Sequence, residues 1–528
     1  MGIYHNPGAV MFLQGRNSRI YVDKSGLLAY LNQVLNTEQG YVCVTRPRRF
    51  GKSMAANMVC AYYDRTVDGA EAFAGLDIAC DPSFDDNRNS FDVIRLNMQE
   101  FLSETEGVSQ MLARLQEDVV FELAGAYPDA RLRDAGSLPR TMADIHAQTG
   151  RQFVIVIDEW DCVMREKESS HGEQKRYLDF LRLWLKDRPY VALCYMTGIL
   201  PIRKYGTHSA LNMFSEFSMV ASDEMAPYTG FTCDEVRALC KQWERDFAEC
   251  RAWYDGYRLC GTNGNTFEAY SPRSVVRSME TGRFGSYWTQ TETFDALKRY
   301  IDLDMDGLHG KVVELMSGAR VPVNTGTYVN DMTTFASADD VLTLLVHLGY
   351  LGYDDCTGEV FVPNREVMGE FENATKDGGW DEVARSIAVS DSLLDALLSG
   401  DGQRVAEGVA RAHEDASSII AYNDENSLAC TLRLAFFSAV RRWRLVREAP
   451  AGKGYADLVL VPLASAAGTP GVVIELKYGG TAQSALEQIR ERAYDRALAG
   501  LAREGEVLLC GIAYDPKTKE HACAIERT

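Results

Sequence analysis

Three places in the chain carry residue types whose spacing suits chemistry on phosphates. In YVCVTRPRRFGKS, Tyr41–Ser53, an apolar run opens into an Arg/Pro turn and ends in Gly51, Lys52 and Ser53. Backbone N–H groups at a helix start can wrap an anion, a Lys can reach the outer phosphates, and a hydroxyl can join a Mg²⁺ shell. The usual spacing puts a Gly five residues before Gly51, where this chain has Arg46. In RQFVIVIDEWD, Arg151–Asp161, five apolar residues deliver Asp158 and Glu159 to the end of a run. Nucleotide hydrolysis needs one carboxylate to hold Mg²⁺ and a second to orient or deprotonate water, and this pair suits those roles. The third set is Asp457, Glu475 and Lys477. Two carboxylates bind one or two Mg²⁺, and a Lys helps activate water or stabilises the developing charge.

Each set has a plainer reading. Asp158 and Glu159 also fit a strand that ends in acidic turn residues. Glu475 and Lys477 also fit a half-buried strand whose solvent face carries a cross-strand ion pair. Arg48 and Arg49 suit extra phosphate contacts and suit ion pairs supporting the loop equally. Thr197, at the end of YVALCYMTGI, suits either a sensor of the terminal phosphate or ordinary strand-end polarity.

The elements that must position these residues follow from periodicity. Leu27, Leu28, Leu31 and Leu35 share one side of a helix that leads into the strand before Gly51. Lys52–Tyr63 is the expected helix after the loop. Phe91–Asn97, Arg151–Asp158 and Tyr190–Ile199 read as buried parallel strands. Thr232 and Glu235 form a capping box that starts a helical segment continuing through WYDGY (Trp253–Tyr257) and YSPRSVV (Tyr270–Val276). Asp339–Asn364 reads as a helix and a hairpin turning near Thr357 and Gly358, in a small winged-helix-like or connector module. Arg444–Pro462 reads as strand, Gly-rich turn, strand; Gly471–Gly479 is a further strand, and a helix follows with Gln488 and Tyr494 on it. Alternate strand residues share a face, so Glu475 and Lys477 point the same way, and Asp457 on a neighbouring strand completes the set.

Composition bounds the partners. The chain has 528 residues, enough for three or four domains at roughly 100 to 200 residues each. A formal charge of −20 argues against a protein that coats nucleic acid with its whole surface. From Arg441 onward, however, 13 Lys/Arg meet 11 Asp/Glu, a balance of +2, so the tail is the candidate for nucleic-acid contact. There Arg441, Arg442, Arg444 and Arg447 suit backbone phosphates, although a solvated helix end explains them as well. Thirteen scattered Cys without a close CxxC pair indicate neither a disulfide framework nor a zinc ribbon, and a reducing cytoplasm is the expected compartment. No run reaches the roughly 18 apolar residues that span a bilayer, and the start lacks an export signal, so neither a membrane span nor export is expected.

YVDKSGLL (Tyr21–Leu28), TRPRRFGKS (Thr45–Ser53), VIDEWD (Val156–Asp161), TGIL (Thr197–Leu200), the helix start at Gly230–Val236, WYDGY, YSPRSVV, GKGYADLVL, IELKYG and ALEQI stand in one order. With them the chain resembles the bacterial AAA-ATPase-like proteins that carry a C-terminal PD-(D/E)XK nuclease domain. The resemblance implies an α/β protein: a P-loop NTPase three-layer domain (1–230), a helical lid (231–300), a connector (301–420) and a restriction-endonuclease-like α/β domain (421–528). It also implies that an arginine-rich turn replaces the leading Gly, so that Arg46 is a variant of the loop. Tyr455 stands where relatives often have an Arg, and Glu425 and Glu448 both remain open for the helix-borne acid of the nuclease superfamily.

The expected activity is a Mg²⁺-dependent ATPase that controls a metal-dependent nuclease acting on DNA. ATP would lie against Arg48, Arg49, Phe50, Gly51, Lys52, Ser53, Asp158 and Thr197, with Ser53 and Asp158 on Mg²⁺ and Glu159 on the attacking water. Asp457, Glu475 and Lys477 would form the cutting centre, with metal on Asp457 and Glu475. A homo-oligomer is left open. The rival expectation is an ATP-dependent switch or scaffold whose nuclease-like domain binds without cutting.

Overall fold

The computed structural model describes residues 2–165, 170–202, 211–288, 294–303, 305, 307–328, 335–375, 380–416, 432, 435–436, 438–439, 442–451, 454–462, 468–492 and 506–528. The chain gathers into two compact units, each made of interleaved segments. One comprises Met1–Leu239, Gly256–Glu280 and Val323–Glu359; the other comprises Cys240–Asp255, Thr281–Pro322 and Val360–Thr528.

The first unit is built on five strands, β1 (Tyr41–Thr45), β2 (Asp92–Asn97), β3 (Phe153–Asp158), β4 (Val191–Gly198) and β5 (Ser215–Phe217), in the order β2-β3-β4-β1-β5 and parallel at every pairing. Continuous apolar runs such as Phe153–Ile157 are buried throughout, as a parallel sheet covered on both faces requires. Val42, Val44, Val154, Val156 and Tyr195 pack on one face against Ala56, Val59 and Tyr63 of the Lys52–Tyr63 helix and Leu27, Leu28 and Leu31 of the Gly26–Val34 helix. Parallel strands bring their C-terminal ends to one edge, where α/β sheets place their ligands. β4 lies between β1 and β3, with Thr197 opposite Val44, so Thr197 stands between the loop after β1 and Asp158 at the end of β3.

The helical expectation for 231–300 holds at its ends and fails in its middle. Helices Cys233–Gln242, Phe247–Tyr254 and Pro272–Thr281 are present, and Thr232 and Glu235 make the expected reciprocal capping bonds. Between them Tyr257–Cys260 and Thr266–Tyr270 are strands that join Phe231–Thr232 in an antiparallel sheet. Gly256, at φ 104°, ends the helical path before these strands begin. The expected helix and hairpin beyond Asp339 are present as the Ala338–Leu348 helix and strands Gly352–Asp354 and Glu359–Phe361.

The second unit carries a mixed sheet of β6 (Trp443–Ala451), β7 (Gly454–Pro462), β8 (Gly471–Tyr478), β9 (Val507–Asp515) and β10 (Glu520–Arg527), in sequence order. Only the β8–β9 pairing is parallel. Both faces are covered. Val472, Ile474 and Leu476 join a core with Leu393, Leu397, Val405 and Val409 of two long helices, whereas Val473 packs against Leu486 and Ile489 of the Ala482–Glu491 helix. Glu475 and Lys477 share the parity of Val473, so the strand turns both toward the Ala482–Glu491 helix.

Candidate nucleotide and metal sites

The loop after β1 is shaped by backbone conformation. Arg49 and Gly51 adopt left-handed φ values of 69° and 89°, and Gly51 caps the Lys52–Tyr63 helix. Left-handed residues in a loop before a helix start are the backbone conformation that anion-binding nests use. Lys52 is buried within the loop, its Nζ donating to the carbonyls of Arg46 and Pro47, each at 2.9 Å. Burial pushes its pKa down, while Glu159, Asp158 and Asp161 oppose that shift. Ser53, Arg48 and Arg49 are exposed beside it. Phe50 is buried, with its ring edge-on to Tyr257 and its carbonyl accepting from Gly230 N–H at 3.0 Å. Those contacts make Phe50 an anchor of the loop.

Arg46 does not face the phosphate side. Its guanidinium is fully buried and donates to the carbonyls of Thr45 (2.8 Å) and Phe217 (3.1 Å), tying the loop to β5. The side chain that replaces the leading Gly is therefore turned into the core, and the loop keeps its backbone path.

Asp158 and Thr197 meet at the edge, with the Thr197 hydroxyl donating to Asp158 Oδ1 in a buried hydrogen bond. Glu159, also left-handed at φ 54°, is paired with Arg165. Arg165 donates its Nε to Asp161 Oδ2 at 3.1 Å, and that oxygen also accepts the N–H groups of Ile199 (3.1 Å) and Leu200 (2.8 Å). Asp161 thus locks the ends of β3 and β4 together. A Cβ on Gly198 would lie 2.7 Å from Asp161 Oδ1 and 2.6 Å from the Trp160 ring, so this junction accepts only Gly. Sequence reasoning gave no role to Asp161 or Arg165; the signal present was the acid three residues after Asp158 followed by a cation four residues later.

In the second unit, β7 and β8 bring Asp457, Glu475 and Lys477 together as expected. Asp457 Oδ2 accepts the N–H of Leu476 at 2.8 Å, which sets its carboxylate beside the β8 backbone. Gln488 bridges the other two, donating its amide to Glu475 Oε1 and accepting from Lys477 Nζ. Lys477 therefore meets a helix residue, not a cross-strand acid, and Glu475 is only 3% exposed, which removes the reading of a solvent-facing ion pair. Burial, then the Asp457 charge, push the Glu475 pKa up to about 7 against the opposing charges of Lys477 and Arg492. Glu475 Oε2 is buried with no hydrogen-bond partner among the described residues. A buried carboxylate oxygen without a donor, beside a second carboxylate, fits a divalent cation. Among the described residues no group of three or more His, Cys, Asp or Glu is placed to hold a metal; Asp457 and Glu475 are the carboxylate pair that would contribute to holding one.

Of the remaining sequence candidates, Glu448 lies on strand β6, which rules it out as a helix-borne acid. Glu425, Arg441 and Tyr494 lie outside the described residues, as do the side chains of Arg444, Arg447 and Tyr455. Arg442 lies over the ring of Trp443 at 5.1 Å.

A parallel sheet with a phosphate loop after β1 and an acid at the end of β3, followed by a mixed sheet with a D…ExK centre, defines a P-loop ATPase fold joined to a nuclease-superfamily fold. The family matches agree with this division: residues 13–207 match the family described as "Predicted AAA-ATPase", and residues 423–522 match the PD-(D/E)XK nuclease superfamily. The chain thus carries a predicted AAA-ATPase domain and a C-terminal PD-(D/E)XK nuclease-superfamily domain. Among solved structures it is similar to the Walker-type ATPase PABY2304 of Pyrococcus abyssi, at 13% identity and TM-score 0.33 over 66% of this chain and 94% of that one. It is also similar to the Aeropyrum pernix ORC1 protein in complex with DNA, at 14% identity and TM-score 0.27 over 73% and 99%. No curated protein matches the chain. Among the described residues no helix is long and apolar enough to cross a membrane.

Proposed function

We propose that the protein is a Mg²⁺-dependent ATPase whose nucleotide cycle controls a metal-dependent nuclease acting on DNA in the cytoplasm. The observation that carries the cutting activity is the buried Glu475 Oε2, without a partner among the described residues, beside Asp457, with Lys477 held on the same side by Gln488. Lys52 neutralises the outer phosphates of ATP, Ser53 and Asp158 ligate Mg²⁺, and Thr197 fixes the Asp158 carboxylate by donating to it. Glu159 orients water once it leaves Arg165. Arg48 and Arg49 lie exposed at the loop, where they supply further phosphate contacts.

In the second unit a bound divalent cation polarises the phosphodiester and acidifies water. Asp457 and Glu475 bind and orient that cation, and Lys477 steers the attacking water or offsets charge on the phosphate. Control of the nuclease by the ATPase rests on the presence of both domains in one chain. The test is cleavage of labelled DNA and RNA with Mg²⁺ or Mn²⁺, with and without ATP, by wild type and Lys477→Ala. The proposal expects metal-dependent cutting of DNA that Lys477→Ala abolishes and ATP modulates. No cutting of any substrate would leave the ATP-dependent scaffold in its place, and cutting indifferent to ATP would remove the control step.

A further inference from the structure

The helix that covers the candidate cutting residues carries two arginines near its end, and they occupy opposite flanks. Ala482, Ala485, Leu486 and Ile489 of the Ala482–Glu491 helix are buried where it lies over β8, β9 and β10. Each residue turns about 100° around the helix axis, so Gln488 and Arg492 fall about 40° apart on one side of that buried stripe, and Arg490 falls on the other. Arg490 pairs with Glu526 on β10. The flank of Gln488 and Arg492 is therefore the one turned toward β8 and, beyond it, toward Asp457 on β7. Gln488 bears this out by bonding both Glu475 and Lys477.

Arg492 is thus the next residue on the flank that meets the cutting centre. It is exposed, and its N–H donates to the Gln488 carbonyl at 3.1 Å, so the turn that fixes its direction relative to Gln488 is closed. Its charge reaches the site: burial and then the Asp457 charge push the Glu475 carboxyl up, and Lys477 and Arg492 oppose that rise. It does not fill the place of a cation, because Glu475 Oε2 has no hydrogen-bond partner among the described residues. A guanidinium at the rim of a carboxylate pair offers a planar fork that matches two oxygens of a phosphate.

We propose that Arg492 grips a backbone phosphate next to the scissile one, so that this flank of the helix forms one wall of the nucleic-acid track. This rests on the proposed nuclease function of Asp457, Glu475 and Lys477. Four residues of helix rise about 6 Å, close to two nucleotide steps of a duplex at about 3.4 Å each along one strand. Arg492 therefore meets a phosphate one or two positions from the one that Glu475 and Lys477 address. Phosphate contacts carry no sequence information, so the grip sets affinity and register for every sequence alike.

The test uses the full chain carrying Glu475→Gln, to suppress cutting, and fluorescence anisotropy with a labelled DNA duplex between about 50 and 200 mM KCl. Adding Arg492→Gln is expected to weaken binding about 5- to 30-fold at the lowest salt and to reduce the slope of log affinity against log salt by about 0.9, the share of one phosphate. Arg492→Lys is expected to keep the slope, and Arg490→Gln to keep both slope and affinity. In the chain with Glu475 restored, Arg492→Gln is expected to raise KM for DNA cleavage by a similar factor and to leave kcat within about 2-fold. An unchanged salt slope in Arg492→Gln overturns the grip, as does a fall in kcat at constant KM, which would make Arg492 act through Glu475. Failure of the Glu475→Gln parent to bind the duplex together with failure of wild type to cut it overturns the nuclease reading itself, a result seen before Arg492 is changed.

Discussion

The two candidate sites use similar side chains in opposite conditions. At the edge of the first sheet, each charged group is held by a protein partner: Lys52 by two loop carbonyls, Asp158 by Thr197, Glu159 by Arg165, and Asp161 by Arg165 and two backbone N–H groups. In the C-terminal sheet, two acids share the strand ends with one Lys, and one oxygen of Glu475, like Asp161 Oδ1 in the first site, has no donor among the described residues. The first site is organised by bonds that must rearrange when phosphate and water arrive. The second has an excess of negative charge that a cation relieves. ATP affinity should therefore depend on geometry around a rigid loop, and metal affinity in the tail should depend on charge and pH.

The largest effects that would break this contrast come from the groups with no substitute. Glu475→Gln or Lys477→Ala should lower metal-dependent cleavage by about 10³-fold while leaving ATP hydrolysis intact. Lys52→Ala should lower phosphate release by about 10²-fold and leave metal binding in the tail unchanged. Loss of both activities in any one of these variants, with folding intact by circular dichroism, would show that the sites are not chemically separate.

A pH dependence sharpens the contrast next. The Glu475 carboxyl is raised to about 7, so below that pH its acid form dominates and a proton competes with the cation. Calorimetric Mn²⁺ affinity of a Lys52→Ala, Asp158→Asn background should fall roughly tenfold per pH unit below about pH 7 and level off above it. A flat profile between pH 5.5 and 8 would remove Glu475 from the metal site.

Smaller still is the expected effect of releasing Glu159. Arg165→Gln removes a cation that is itself anchored to Asp161, so the Glu159 carboxylate is freed toward the loop. A partly exposed ion pair of this kind is worth roughly 0.5–1 kcal/mol, which corresponds to a rise of about 2- to 5-fold in kcat for ATP with KM little changed. A fall as deep as that of Glu159→Gln would instead make Arg165 part of the hydrolytic machinery.

The sequence made the backbone of both sites legible because their signals are local. The Lys52–Tyr63 helix follows from its place after the loop, the delivery of Asp158 from a continuous apolar run, and the shared face of Glu475 and Lys477 from a period of 2. The partners of those residues were not legible. Asp161 acts through N–H groups 38 and 39 residues later, and the direction of the Arg46 side chain depends on β5, 171 residues away. The strands at Tyr257–Cys260 and Thr266–Tyr270 were missed because each is too short for a periodic signal and follows a strong helix.

The last predicted effect is on stability and not on either activity, and it concerns how that inward Arg46 is tolerated. Its Nε and Nη2 have no partner among the described residues, and burial lowers its pKa to about 10. His347, buried on the Ala338–Leu348 helix, is pushed down to about 3 by burial and then by the Arg46 charge. The folded chain therefore keeps His347 neutral where an unfolded chain, with a pKa near 6.5, binds a proton. Between those values the unfolded state holds more protons, so stability falls as pH falls. At pH 5.5 the loss attributable to His347 is about 1.4 kcal/mol relative to pH 7.5. His347→Gln should remove this part of the acid sensitivity of thermal unfolding, and Arg46→Met should reduce it by letting the imidazole accept a proton more easily. Equal acid sensitivity in wild type and His347→Gln would mean that His347 does not remain neutral beside Arg46 in the folded chain, and that the core under the phosphate loop admits charge more readily than its burial implies.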